Sequence, residues 1–144
     1  MALHFAKVIL LVFFAEVAMS KSYSKCDFAK YLLRHDIPRN QIGDWVCLAE
    51  HESNLRTDAR NTQNWDGSND YGIFQLNSRY WCQGEVTQSN GCNIQCSALL
   101  DDNLSDDLAC AKKIYNAMGF EAWVAWKQHC QGRDLSSYTS GCNL

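Results

Sequence analysis

Sixteen of the 144 residues are Asp or Glu, and most acids on a protein are solvated surface charges with no chemical duty. Two are set apart by their surroundings. Glu52 follows Trp45, Leu48 and Ala49 at i, i+3, i+4 and i+7, so it extends an apolar helical stripe. Glu50 is rotated about 200° from that stripe and is the competing acid in the segment. Asp70 follows Asn64-Trp65-Asp66-Gly67-Ser68-Asn69, a polar stretch whose side chains can donate hydrogen bonds to a carboxylate. An acid in apolar surroundings keeps its proton, and one among donors releases it. A pair in such unlike settings suits general acid and base chemistry, because its members hold different protonation states at one pH.

A second cluster is denser. Asp101, Asp102, Asp106 and Asp107 crowd the run from Ala98 to Cys110. Such a cluster repels itself unless it is solvated, neutralised or spread along a helix start. Ser105, Asp106 and Asp107 suit a helix N-terminus and its dipole. The same acids suit calcium, which takes six to eight oxygens from carboxylates and carbonyls. The spacing is not that of an EF-hand. Zinc is disfavoured: no Cys-x-x-Cys pair exists, and Leu55 stands where His51-Glu52 would need a second His.

The elements that must carry these groups are mostly helical. Phe28, Ala29, Leu32 and Leu33 share one face of a helix expected over 24–35, which Ile37-Pro38 stops. A second helix is expected over 41–53, a third over 105–118 and a short one over 121–128. Between them, 61–69 is rich in Asn, Asp, Gly and Ser, with Asp66-Gly67 as a turn, and Tyr71, Ile73, Phe74 and Leu76 form a strand-like run. The fold class expected is α+β, mainly helical with a small antiparallel sheet inserted.

The first twenty residues carry a different signal. Lys7 precedes an apolar run from Val8 to Ala15, and Ala18-Met19-Ser20 supplies small residues for cleavage. We expect residues 1–20 to be a secretory signal peptide and 21–144 to be one domain of a secreted, extracellular protein. All eight cysteines lie in the second part: Cys26, Cys47, Cys82, Cys92, Cys96, Cys110, Cys130 and Cys142. An even count behind a leader reads as a disulfide framework, in which about 105 pairings are open. The net charge is −3, and it stays so without the leader, whose Lys7 and Glu16 cancel. A mildly acidic chain has no long-range pull toward nucleic acid or an anionic membrane, and neither is expected as a partner.

The residues as a whole resemble the c-type (chicken-type) lysozymes, over essentially all of 21–144. The resemblance rests on Trp45-Val46-Cys47-Leu48-Ala49-Glu50-His51-Glu52-Ser53, on Gly67-Ser68-Asn69-Asp70-Tyr71-Gly72-Ile73-Phe74-Gln75-Leu76-Asn77-Ser78-Arg79, on Ala122-Trp123-Val124-Ala125-Trp126 and on the order of the cysteines. Within that family the short first helical region looks like the insect branch. The resemblance implies a lysozyme-like fold and the pairs Cys26–Cys142, Cys47–Cys130, Cys82–Cys96 and Cys92–Cys110. It implies a monomeric muramidase, antimicrobial and bacteriolytic, acting on the β-1,4 bond between N-acetylmuramic acid and N-acetylglucosamine in peptidoglycan. Glu52 would be the general acid/base and Asp70 the nucleophile or electrostatic stabiliser, with retention of configuration and no cofactor for the chemistry.

By the same resemblance Asn64, Gln75, Asn77, Tyr80, Trp81 and Trp123 line a sugar cleft, whereas Trp45 and Trp126 pack the core. Tyr80 stands where many vertebrate members carry Trp. The acidic run resembles the calcium loop of α-lactalbumins and calcium-binding lysozymes, which implies a structural Ca2+ held by the side chains of Asp101, Asp106 and Asp107 and the carbonyls of Ala98 and Asn103. Asn103-Leu104-Ser105 is also a glycosylation sequon. The rival class is a non-catalytic calcium-binding or sugar-binding relative, which the presence of both Glu52 and Asp70 disfavours. A disulfide-rich protease inhibitor is disfavoured by the three apolar helical stripes.

Overall fold

A computed structural model describes residues 21–144; the expected signal peptide lies outside the described residues. Four α-helices, α1 (Lys25–Arg34), α2 (Ile42–Ser53), α3 (Ser105–Met118) and α4 (Val124–His129), surround the core. A three-stranded antiparallel sheet, β1 (Arg60–Asn61), β2 (Asp70–Tyr71) and β3 (Leu76–Asn77), lies between α2 and α3 in the chain. This is the expected α+β arrangement. Among the described residues, no helix is long and apolar enough to cross a membrane.

Local signals account for the helix ends. The Ser24 hydroxyl accepts from the Asp27 N–H at 3.1 Å and starts α1, a cap that contributes about 1 kcal/mol. The second helix begins one residue later than expected, because Arg39–Gln41 forms a 3-10 turn after Pro38. It ends where Asn54 and Leu55 both take left-handed backbone (φ 54° and 61°), which turns the chain sharply after Glu52. The third helix matches the expected 105–118. The expected helix at 121–128 divides: Phe120–Ala122 is a 3-10 turn, and Trp123 is extended before α4 starts.

The strand-like run also breaks. Tyr71 ends β2 and Leu76 begins β3, with a turn between them. Gly72 has φ +78°, and a Cβ there would sit 2.2 Å from the Leu99 carbonyl oxygen. Only glycine allows that turn to press against the 96–100 segment.

Trp45 is the hub of the core. It is fully buried, with the rings of Phe74, Tyr115, Phe120 and Trp123 at 5.0–5.7 Å. Its neighbours come from the sheet turn, α3 and the segment before α4, so one side chain sets the distance between the helical and sheet halves. Trp126 is half-buried and donates through Nε1 to Asp44 at 2.9 Å. The disulfides are Cys26–Cys142, Cys47–Cys130, Cys82–Cys96 and Cys92–Cys110. The first two span 116 and 83 residues and tie the C-terminal segment to α1 and α2. Closing loops of that length contributes on the order of 3–5 kcal/mol each.

Candidate active site

The sheet is short, but its register organises one carboxylate. Asn61 pairs with Asp70, and Asp70 pairs with Asn77. Directly paired residues share a face of the sheet, so two amides flank the Asp70 side chain. Asn61 Nδ2 donates to Asp70 Oδ2 at 3.1 Å and Asn77 Nδ2 donates to Oδ1 at 2.8 Å. Asn64, from the turn, adds a third bond to Oδ2 at 3.0 Å. Ser68, itself buried, accepts from both Asn64 and Asn77 and holds the amides in place. Three donors suit a carboxylate in its ionised, acceptor-only form.

Glu52 sits in the opposite setting. It lies in the last turn of α2, where the Ser53 hydroxyl donates to the carbonyls of Ala49 and Ile73 at 3.0 and 2.7 Å. Those bonds fasten the helix end to the sheet turn. Burial pushes the Glu52 carboxyl up to about 7, the Asp70 charge adds to the rise, and the Ala125 N–H opposes it. The site therefore sets a buried carboxyl that keeps its proton until the pH approaches 7 beside an Asp70 whose oxygens are held by three amide donors. Glu50 is committed elsewhere, 3.4 Å from Lys25 Nζ.

Two grooves meet at Gln75. One is a largely apolar cleft of about 530 Å³ whose walls include Gln75, Asn77, Tyr80, Trp81, Met118 and Trp123. The other, about 700 Å³, is polar and includes His51, Glu52, Asn54, Arg56, Arg60 and Asn61. Five of the six cleft residues expected from the sequence thus line one groove. Their amides, however, have partners already. Asn77 supports Asp70 and accepts from the Arg79 N–H, and Gln75 donates to the Ala59 and Gly72 carbonyls. Asn64 contacts Asp70 and is not part of the cleft wall. Trp123 is nearly buried, with its Nε1 donating to the Phe74 carbonyl at 3.0 Å, so only part of its ring faces the cleft. Sequence reasoning missed Asn61 and Ser68. Asn61 reaches Asp70 through strand register, a signal that a linear scan does not carry.

The acidic loop lies behind the sheet. Asp106 and Asp107 occupy the first turn of α3. Ser105 does not act as the cap; its N–H and hydroxyl both donate to Asn103 Oδ1. Asp101, Asp102 and Asp106 are exposed, but Asp107 is wholly buried and neither of its oxygens has a hydrogen-bond partner among the described residues. Burial pushes its carboxyl up to about 8, with Asp101 and Asp106 adding to the rise. No group of three His, Cys, Asp or Glu among the described residues is gathered closely enough to hold a metal ion.

Comparison with known proteins places this architecture. A family model for the C-type lysozyme/alpha-lactalbumin family matches residues 21–142. Lysozyme C, milk isozyme, from Canis lupus familiaris is 50% identical, covering 86% of this chain and all of that protein. Lysozyme C from Scophthalmus maximus is 46% identical over 96% of this chain and 99% of its own length. The crystal structure of lysozyme from Equus asinus superposes with a TM-score of 0.80 at 47% identity, covering 86% of this chain and all of that one. A structure of recombinant wild-type canine milk lysozyme, apo-type, also has a TM-score of 0.80. These relatives are mammalian and fish proteins, so they do not support the insect-like placement suggested by the first helical region. On sequence, fold and disulfide framework together, the chain belongs to the C-type lysozyme/alpha-lactalbumin family.

Proposed function

We propose that this protein is a secreted lysozyme, a retaining glycoside hydrolase that cleaves the β-1,4 bond between N-acetylmuramic acid and N-acetylglucosamine in bacterial peptidoglycan. The observation that carries the proposal is the contrast in setting between Glu52, whose burial lifts its carboxyl to about 7, and Asp70, held by three amides. Lysozymes are the type case of this arrangement.

Glu52 donates its proton to the glycosidic oxygen as the bond from that oxygen to the anomeric carbon breaks. Asp70 supports or captures the anomeric carbon from the other side. The leaving sugar departs, and the Glu52 carboxylate takes a proton from water, which attacks the same carbon and restores both groups. The rings of Tyr80, Trp81 and Trp123 offer faces for pyranose C–H groups. Asn61, Asn64 and Asn77 orient Asp70.

Residues 1–20 act as a cleaved signal peptide in this account, and four disulfides suit an oxidising, extracellular setting. The mature protein works as a monomer. Mass spectrometry of the secreted protein should find Lys21 as its first residue; retention of Met1 would refute the cleavage.

The chemistry needs no cofactor, but the donor types of the acidic loop suit a structural calcium, although its acids are not gathered as they stand. The hard oxygen donors are of the right type, and Asp107 presents two buried oxygens without a partner. Asp101, Asp106 and Asp107, with the carbonyls of Ala98 and Asn103, would hold the ion, which supplies charge compensation and no catalytic step. Asp101 and Asp106 are exposed as they stand and would have to turn inward. The test of function is sugar release from purified peptidoglycan by the mature protein beside Glu52→Gln. Release by the parent and its loss in the variant are expected. Inactivity of folded, calcium-loaded parent at every pH would favour a non-catalytic relative.

A further inference from the structure

The polar groove has a wall that the reaction above does not use. His51, next to Glu52 on α2, stacks on His129 at the end of α4, with ring centroids 4.2 Å apart and planes 7° from parallel. His51 lines the groove, and His129 is exposed behind it. A general acid protonates the leaving oxygen, so the leaving sugar lies on its side of the broken bond. Glu52 lines this groove and not the apolar cleft. The groove is therefore the path of the leaving group. In a glycan alternating two sugars, the first leaving-group sugar is N-acetylglucosamine and the second is N-acetylmuramic acid, which bears a lactyl carboxyl or the acidic peptide attached to it.

We propose that the His51–His129 stack is a carboxylate-binding wall on the leaving-group side, engaged by the acidic substituent of the second leaving-group sugar, with an affinity that grows as the rings take up protons. This rests on the muramidase reading and deepens it. Two cationic rings 4.2 Å apart repel each other, and an anion along the edge of the stack offsets that repulsion. Anion binding and proton uptake then favour each other, and by linkage the effect is reciprocal.

The charged and titratable groups around the stack agree with this sign. Glu50 on α2 lies 4.0 Å from His51 Nε2 but is also paired with Lys25 of α1. Tyr138 Oη, in the 3-10 turn at Ser136–Tyr138, is 3.2 Å from His51 Nε2. Arg133, after α4, adds a further positive charge nearby. Burial and His129 together hold His51 below the usual histidine range, while Glu50 opposes them. The other acids of the groove are Asp58, paired with Arg56 at 3.2 Å, and Glu52, so with the rings charged the cations beside the stack, His51, His129 and Arg133, face Glu50, which Lys25 also pairs.

The test compares kcat/KM from pH 8 to 5 on three glycans: peptide-bearing peptidoglycan fragments, fragments stripped of peptide by an amidase, and uncharged chitooligosaccharides. Taking ratios cancels the shared titration of Glu52. For the parent, the ratio of peptide-bearing to uncharged substrate should rise about fivefold as pH falls, and it should stay flat in His51→Gln and His129→Gln. A rise on the peptide-bearing fragments assigns the peptide carboxylates, because their lactyl carboxyl is capped as an amide; a rise on the stripped fragments as well, whose lactyl carboxyl the amidase has freed, shows that the wall takes either carboxylate. In Glu52→Gln, adding the preferred fragment should shift the imidazole NMR titrations of both histidines to higher pH. A flat ratio in the parent, an unchanged slope in His129→Gln, or imidazole titrations indifferent to the fragment would overturn the proposal. A parent that cleaves none of the three glycans fails as a muramidase, and the NMR titration still decides whether the stack takes carboxylates.

Discussion

Asp70 receives three amide hydrogen bonds from the strands beside it and the turn before it, whereas Asp107, in the first turn of α3, receives none although it is wholly buried. Both belong to polar, Asn- and Asp-rich stretches, and on composition alone they look alike. The hairpin spends its polar residues inward, on the one carboxylate between its strands. The acidic loop bonds its polar residues to one another, Asn103 to Asp101 and Ser105 to Asn103, and leaves Asp107 with no donor. A buried carboxylate with donors is ready to act as an anion; one without them needs either a proton or a cation.

The comparison can be broken most directly at Asp70. Asp70→Asn should lower kcat/KM on peptidoglycan about 100-fold or more, with no change in thermal stability on adding calcium to chelator-treated protein beyond that of the parent. Asp107→Asn should do the reverse. It should raise the stability of calcium-free protein at neutral pH by about 1–3 kcal/mol, because the buried Asp107 carboxyl must take up a proton on folding and an amide need not, abolish stabilisation by calcium, and leave activity within about twofold. Denaturant melts with chelator or calcium read both. An Asp107→Asn protein that still gains stability from calcium would remove the loop from the account.

Smaller changes sharpen the same contrast. Asn77→Ala takes away one of the three donors, and about tenfold lower kcat/KM is expected, the worth of one charge-assisted hydrogen bond. Wild-type activity in Asn77→Ala would mean that the cradle is structural only. A last contrast is in stability against pH. Folding raises Glu52 from 4.5 to about 7, so the native state holds a proton that the unfolded chain has released. That contribution is fully present below pH 4.5 and is lost as pH rises through 7. Urea midpoints of Glu52→Gln should decline less steeply than those of the parent, the remaining decline coming from Asp107, and parallel curves for parent and variant would contradict the assigned burial.

The sequence carried the helical half of this structure well. The third helix could be read to its ends because its apolar stripe runs unbroken to Met118 before Gly119. Glu52 could be placed by face, since helical periodicity fixes which side a residue occupies. The sheet was less legible. Tyr71 to Leu76 reads as one strand-like apolar run, yet Gly72 and Gln75 both take positive φ (78° and 51°) and fold it into two. Asn61 lies nine positions before Asp70 and meets it only through pairing across β1 and β2. His51 and His129 likewise meet only because α2 packs on α4. The lack of donors at Asp107 depends on how the Gly72 turn closes over it, which no local pattern encodes.

The most direct measurement is the titration of the Glu52 carboxyl itself, by carbon NMR of the labelled side chain, set beside the high-pH limb of kcat/KM on peptidoglycan. The account predicts a midpoint near pH 7 in both, because the proton seen by NMR is the proton given to the glycosidic oxygen. A carboxyl that titrates at an ordinary 4.5, or an activity limb unrelated to it, would contradict the assignment of Glu52 as the acid.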